Sequence, residues 1–297
     1  MVKIALTEIL SLLTAGCGLP LASRLCSPAL RSITSTTNAA RLRGPEPLVT
    51  DEELAARLAD GAGRLLIELR SSGFLQASAL GHVADKVANA FILTALSEWR
   101  PQDGLLSEES PDRPDRLDKK RVWIIDPLDG TREYSEGRDD WAVHVALSVD
   151  GRPALGAVAL PASGRLFRSD QVEAAIPAAR GRRPLMAVSR TRPPPEAGEI
   201  AALLGAELVE MGSAGAKAMA VIAGEADIYY HSGGQHEWDN CAPAAVALGA
   251  GLHASRVDGS PLIYNRADTL VPDFIVARPE LAKKVVAFCS PAGNPSP

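Results

Sequence analysis

A run of four apolar residues that stops on two carboxylates constrains this chain more than any other feature. Arg121 to Thr131 reads RVWIIDPLDGT, with Val122, Trp123, Ile124 and Ile125 leading into Asp126 and Asp129, Pro127 between these and Gly130-Thr131 behind. Such a run predicts a buried strand. Carboxylates at the end of a buried strand are costly unless something cationic neutralises them. A hard divalent cation such as Mg²⁺ takes oxygen ligands, so the segment points to metal-assisted phosphate chemistry. Pro127 stiffens the turn, and Gly130-Thr131 would open a helix N-terminus of the kind that cradles a phosphate.

Four acidic sites stand out: Glu108 beside Glu109, Asp126, Asp129, and Asp239 within Glu237-Trp238-Asp239. Each falls where a strand or loop gives way to a helix or turn, and α/β folds commonly build their sites at such places. A site for two or three metal ions needs several converging carboxylates, one of them shared by ions about 3.5–4 Å apart. Each acid has a plainer reading when taken singly. Glu108 and Glu109 read as a solvated pair, Asp239 as a helix cap, and Asp126 and Asp129 as an Asx turn. Together they favour the metal.

The rest of the chain reads as alternating helices and strands. Thr50-Asp51-Glu52-Glu53 is a capping box, followed by Leu54, Leu58, Leu65, Leu66 and Leu69 at helical spacing. A second helix is expected from about Ala84 to Trp99, with Asp85 at its N-terminal end and Ala88, Phe91, Ile92, Ala95, Leu96 and Trp99 on one face. Strands are expected at 105–107, 122–126, 142–149, 154–160 and 166–168, then a surface loop at 170–184. From Leu185 strands (185–189, 207–210, 226–230, 253–255, 273–277) alternate with helices (195–204, 214–223, 241–250, 280–288). This pattern suggests a layered α/β architecture of the α-β-α-β-α kind. The reading divides the chain into an N-terminal α+β subdomain with the metal site (49–184) and a C-terminal α/β subdomain (185–290). Residues 1–48 read as a disordered extension or an overlong start, and 291–297 as a frayed tail.

Composition narrows the partners. The 297 residues carry a net charge of −5, with 46% apolar and 23% charged residues, as expected for a soluble globular protein. The acidic balance argues against nonspecific nucleic-acid binding. Leu13 to Cys17 is similar to a lipoprotein signal, but Lys3 is its sole basic residue, Glu8 breaks the apolar run, and the run is too short to span a membrane. Cys17, Cys26, Cys241 and Cys289 form no close pair, which favours free thiols in a reducing, cytoplasmic compartment. Of the histidines, His82 lies near Asp85, His144 reads as a core or sheet residue, and His231 and His236 flank Gly233-Gly234. Carboxylates suit Mg²⁺ better than a histidine site would.

On Asp126-Pro127-Leu128-Asp129-Gly130-Thr131, on Glu237-Trp238-Asp239-Asn240-Cys241-Ala242-Pro243, and more weakly on Ser107-Glu108-Glu109, the chain resembles the inositol monophosphatase superfamily of lithium-sensitive, Mg²⁺-dependent phosphatases. Within it, the chain is most similar to the 3'(2'),5'-bisphosphate nucleotidases of actinobacteria. The resemblance covers about residues 50–290 and implies the five-layer sandwich shared with fructose-1,6-bisphosphatases. It implies that Glu108, Asp126 and the Leu128 carbonyl hold a first metal and that Asp126, Asp129 and Asp239 hold a second. A third, weaker Mg²⁺ would involve Glu108 and waters. Asp85 would pair with the Thr131 hydroxyl to orient the attacking water, and the family suggests a homodimer. No covalent phosphoenzyme is expected.

Arg132-Glu133-Tyr134 is similar to the segment that follows the Asp-Gly-Thr of bisphosphate nucleotidases, where inositol-type members have a neutral one. Ser213-Ala214-Gly215-Ala216-Lys217 lies where the family's substrate loop enters a helix, and Ser189-Arg190 matches another segment near the ligand. The resemblance therefore implies that Gly130, Thr131, Arg132, Ser213, Gly215, Lys217 and Asp239 contact a small phosphorylated substrate. The leading one is 3'-phosphoadenosine 5'-phosphate, split to AMP and phosphate in sulfate assimilation or sulfotransfer. Inositol 1-phosphate and fructose 1,6-bisphosphate are the alternatives. Haloacid dehalogenases also place Asp after an apolar strand, but their two Asp are separated by one residue and these by two. A non-catalytic nucleotide sensor would lack a metal ligand or the water-orienting pair, and both are present.

Overall fold

The structure, a computed structural model, describes residues 49–174 and 182–290. The readings made for 1–48, for 291–297 and for the middle of the 170–184 loop lie outside these residues. Helices α1 (Asp51–Ser71) and α2 (Ala77–Trp99) lead into β1 (Gly104–Ser107), β2 (Arg121–Asp129), the short α3 (Thr131–Ser135), β3 (Ala142–Val149), β4 (Arg152–Leu160) and β5 (Arg165–Arg168). Then follow β6 (Leu185–Ser189), α4 (Ala197–Leu204), β7 (Glu207–Met211), α5 (Ala214–Ile222), β8 (Ile228–His236), α6 (Glu237–Gly249), β9 (His253–Ser255), β10 (Leu270–Ala277) and α7 (Pro279–Cys289).

The strands make two five-stranded sheets, ordered β1-β2-β3-β4-β5 and β7-β6-β8-β10-β9. The second sheet is completed from within, because β10 inserts between β8 and β9. Strand alternation then assigns the layers. Trp123, Ile125, Val143, Val145 and Leu147 turn to one face of the first sheet and pack with α1 and α2. Val122, Ile124, Ala142 and Ala146 turn to the other and pack with α5 and α6, which also meet Tyr229, Phe274 and Val276 of the second sheet. Met186, Val188, Ile228, Tyr230 and Ile275 cover α4 and α7. The result is the expected α-β-α-β-α sandwich, with α5 and α6 as the central layer. No helix among the described residues is long and apolar enough to cross a membrane.

Two helix starts differ from expectation, and both matter at the site. The buried stripe of α2 is Leu80, Ala84, Ala88, Ile92 and Leu96, while Phe91 and Trp99 are 37% and 46% exposed. This stripe extends the helix upstream to Ala77, so Asp85 lies within the helix, buried, and not at its N-terminal end. Helix α6 begins at Glu237 rather than 241. His236 is its cap, and the Asp239 carboxylate accepts the His236 N–H in a capping box. Pro243 is carried inside the helix at the loss of one backbone bond. β8 runs on to His236 because Gly233 and Gly234 take positive φ and bend the strand without ending it. The thiols of Cys241 and Cys289 are free.

Candidate active site

The acidic cluster is built where β1, β2 and α6 converge. β1 pairs parallel with β2, Ser107 opposite Ile125, and the Glu108 amide donates to the Ile125 carbonyl at 3.3 Å. Glu108 therefore emerges beside Asp126. Asn89 of α2 secures this bend: it accepts from the Ser107 hydroxyl at 2.7 Å and donates to the Glu109 carbonyl and the Ser110 hydroxyl. On β2 the antiparallel register with β3 breaks between Asp126 and Asp129, where Pro127 offers no N–H to the ladder. The break turns both acids into the same space. Asp126 accepts the Leu128 amide at 3.1 Å, so the Asx turn forms alongside the cluster. One carboxylate oxygen each from Asp126, Asp129 and Asp239 lies within 4.8 Å of the others.

The four acids do not carry the same charge state. Burial raises Asp126 well above the ordinary Asp value, helped by Glu108, Asp129 and Asp239. Desolvation and Asp239 push Glu108 to about 7, and desolvation and Asp129 push Asp239 to about 6. Asp129 is the exception. Burial alone would raise it, but His144, the Ser213 hydroxyl and Lys217 overcome that and hold it at about 2. Its Oδ2 accepts from the Ser213 hydroxyl at 2.5 Å and the Gly215 amide at 2.6 Å, and His144 Nε2 stands 3.2 Å away. Converging buried oxygens that repel one another, from an all-carboxylate donor set, fit a hard divalent cation.

Beside the cluster, the Thr131 hydroxyl lies 3.2 Å from Asp85 Oδ1 and 3.1 Å from the Leu128 carbonyl. It has one proton to donate, so it serves one acceptor at a time. Burial, then the charge of Glu109, raises Asp85 to about 7, with Thr131 pulling the other way. The α3 helix behind Thr131 is five residues long. Gly130 caps it at φ 92°, a conformation open to glycine.

A cavity of about 420 Å³ opens over the cluster, within the size range of small-molecule sites. Glu108, Asp126, Leu128, Asp129, Asp239, Gly130, Thr131, Arg132, Ser213 and Lys217 all line it. Gly215 does not: its amide is turned onto Asp129. The Ser213 hydroxyl is likewise directed at Asp129 rather than outward. Ser213 adopts φ 43°, which lets its oxygen also cap α5 at the Ala216 amide. Local strain of this kind persists where surrounding structure enforces it. The Lys217 ammonium donates to the carbonyls of Gly212 and Ser213 and lies 5.2 Å from the centre of the Tyr229 ring. Burial lowers it to about 8.

Arg190 turns away to pair with Glu133 and Glu136, and Arg192, not anticipated, lines the cavity in its place. Arg132 and Arg192 are exposed there and make no ion pair among the described residues. His144 and Asn89 are also site residues that the sequence did not reveal. A histidine at an inward position of an otherwise apolar strand was the one available signal.

Residues 52–288 match the model of the inositol monophosphatase family. A protein of Mycobacterium leprae named 3'-phosphoadenosine 5'-phosphate phosphatase is 53% identical over 249 residues, spanning 79% of this chain and 91% of that one. The 3'(2'),5'-bisphosphate nucleotidase CysQ of Escherichia coli K12 is 33% identical over 205 residues, spanning 65% of this chain and 83% of that one. Among solved structures, CysQ of Bacteroides thetaiotaomicron, itself described as a bacterial member of the family, aligns with a TM-score of 0.65 at 25% identity. That alignment covers 77% of this chain and 97% of the other. The chain belongs to the inositol monophosphatase family.

Proposed function

We propose that this chain is a Mg²⁺-dependent phosphomonoesterase that hydrolyses the 3'-phosphate of 3'-phosphoadenosine 5'-phosphate to give AMP and phosphate. The observation that carries the chemistry is the convergence of Asp126, Asp129 and Asp239 within 4.8 Å in the lining of a cavity of about 420 Å³. The substrate rests on two further supports. Arg132 and Arg192 are exposed cations at the cavity wall with no ion pair among the described residues, suited to a ligand with a second phosphate. The relative sharing 53% identity is named for this substrate.

Glu108, Asp126 and the Leu128 carbonyl would hold one ion, and Asp126, Asp129 and Asp239 a second. Mg²⁺ bound there supplies a Lewis acid that acidifies water and neutralises phosphoryl oxygens. The residues of the chain do the rest. The Thr131 hydroxyl accepts the proton of the attacking water and passes its own to Asp85, whose pKa of about 7 suits a general base near neutral pH. The water oxygen bonds to phosphorus as the bond from phosphorus to the 3'-oxygen breaks, and that oxygen leaves with a proton from solvent. Arg132 and Arg192 hold the 5'-phosphate, so the reacting group is positioned by the one that does not react.

The test is phosphate release, with and without Mg²⁺, from 3'-phosphoadenosine 5'-phosphate, inositol 1-phosphate and fructose 1,6-bisphosphate in parallel. The nucleotide should have the highest kcat/KM, and all release should need the metal. Preference for another substrate would overturn the nucleotide assignment and keep the metal chemistry. Metal-independent release would overturn both.

A further inference from the structure

His144 stands on β3 with its side chain fully buried, on the same face as Ala142 and Ala146. That face packs against the apolar central layer of α5 and α6. An imidazole in such a place costs free energy that an alanine or valine would not, unless its nitrogens are used. They are placed between the two motifs that carry the carboxylates. Nδ1 lies 3.1 Å from the Trp238 carbonyl, one residue before Asp239, and Nε2 lies 3.2 Å from Asp129 Oδ2. A carbonyl can only accept, so Nδ1 carries a proton and donates it. Nε2 has no hydrogen-bond partner among the described residues, and its approach to Asp129 is a contact of position and charge.

The neighbouring chain is shaped around this ring. A Cβ on Gly215 would stand 2.1 Å from His144 Nε2 and 2.9 Å from the Ala142 side chain. Gly215 thus makes room for the imidazole with its missing side chain, while its amide holds the same Asp129 oxygen that the imidazole approaches. Oδ2 is filled by these groups and by Ser213, and Oδ1 accepts no hydrogen bond among the described residues.

We infer that His144 is a positioning residue that couples Asp129 to the first turn of α6 and so sets the spacing of Asp129 and Asp239 that a divalent cation requires. The inference rests on the reading that these carboxylates hold such a cation. Groups that orient metal ligands without touching the metal typically change metal affinity or activity about 10–100-fold when removed.

The test is calorimetric titration of Mg²⁺ into substrate-free protein, for the wild type, His144→Ala, His144→Asn and Gly215→Ala, each checked for folding by circular dichroism. His144→Ala should weaken Mg²⁺ binding by about 10-fold or more, with KM for the phosphate ester at saturating Mg²⁺ within about twofold. His144→Asn, which keeps a donor for the Trp238 carbonyl, should recover part of the affinity. Gly215→Ala should displace the ring and match His144→Ala, which keeps the inference testable if the latter fails to fold. Wild-type affinity in a folded His144→Ala or Gly215→Ala protein would overturn the inference alone. A wild type that takes up no Mg²⁺ would overturn the metal reading and the inference with it.

Discussion

Arg116 and Glu237 grip the same two residues from opposite sides. The guanidinium of Arg116 donates to the Asn265 side-chain oxygen at 2.8 Å and to the Arg266 carbonyl at 2.9 Å. The carboxylate of Glu237 accepts the backbone amides of those residues at 2.7 and 2.8 Å. Both side chains are buried, at 1% and 0% exposure. Arg116 belongs to the loop that follows Glu108, and Glu237 stands two residues before Asp239. The 265–266 segment thereby ties together two elements that bring acids to the site. Arg116→Met would leave the Asn265 oxygen and the Arg266 carbonyl without their donor, and should cost about 3 kcal/mol in urea unfolding. A change within about 0.5 kcal/mol, as at an ordinary surface site, would refute the tie.

Asp126→Asn should abolish turnover. It should also leave the melting temperature of the metal-free protein unchanged or higher, because a buried carboxylate repelled by Glu108, Asp129 and Asp239 becomes neutral. Retained activity would exclude Asp126 from the metal site, and a lower melting temperature would mean the carboxylate stabilises the fold without a cation.

The pH dependence of the metal-free protein has a defined sign. Glu108 rises from 4.5 to about 7 on folding and Asp239 from 3.8 to about 6. Each binds its proton more tightly when folded, so its contribution is fully present below the unfolded value and is lost as pH rises through the folded one. Stability without metal should therefore fall between about pH 4 and 7 from these groups. Asp129 acts oppositely, its contribution being present above 3.8 and lost as pH falls through about 2. Saturating Mg²⁺ should abolish the decline toward neutrality. Chemical denaturation across this range, with Mg²⁺ and with chelator, checks it; identical profiles would sink it.

Asp85→Asn and Thr131→Val should each lower kcat by about 10²–10⁴-fold, the usual scale for a proton-transfer group, while calorimetric Mg²⁺ affinity stays near wild type. Parallel loss of metal affinity would place this pair among the metal ligands instead.

Arg132→Ala and Arg192→Ala should raise KM for 3'-phosphoadenosine 5'-phosphate by about 10-fold each, the scale of about 1.4 kcal/mol for a charge-assisted contact. Neither should change KM for inositol 1-phosphate, which has no second phosphate for them to hold. Equal effects on both esters would show that these arginines serve the reacting phosphate.

What the sequence disclosed was what is local. The β2 strand, its terminal carboxylates and the alternation that assigns the layers all depend on neighbours a few residues apart, and they stand in the structure as expected. Asp85 was legible as an acid near a helix start, but its depth was not, because Leu80 and Ala84 extend the helix only by packing against the sheet. His144, Asn89 and Arg192 were not legible as site residues. Their meaning comes from Trp238, from Glu109 and from a cavity wall far along the chain. Ser213 and Gly215 were read for a contact with substrate, and the fold adds one to Asp129, toward which both donors turn.

The interior position of β10 has a consequence for how the site is assembled. Its first residue, Leu270, pairs with His236, the cap of α6, while the Thr269 carbonyl and hydroxyl reach Glu237 and His236. The segment that seats Asp239 is therefore fastened by a strand that comes well after it in the chain. Glu108, Asp126 and Asp129 are brought together by β1 and β2, whereas the seat of Asp239 depends on β10 lying between β8 and β9. Completion of the ring of acids is thereby tied to the closure of the second sheet.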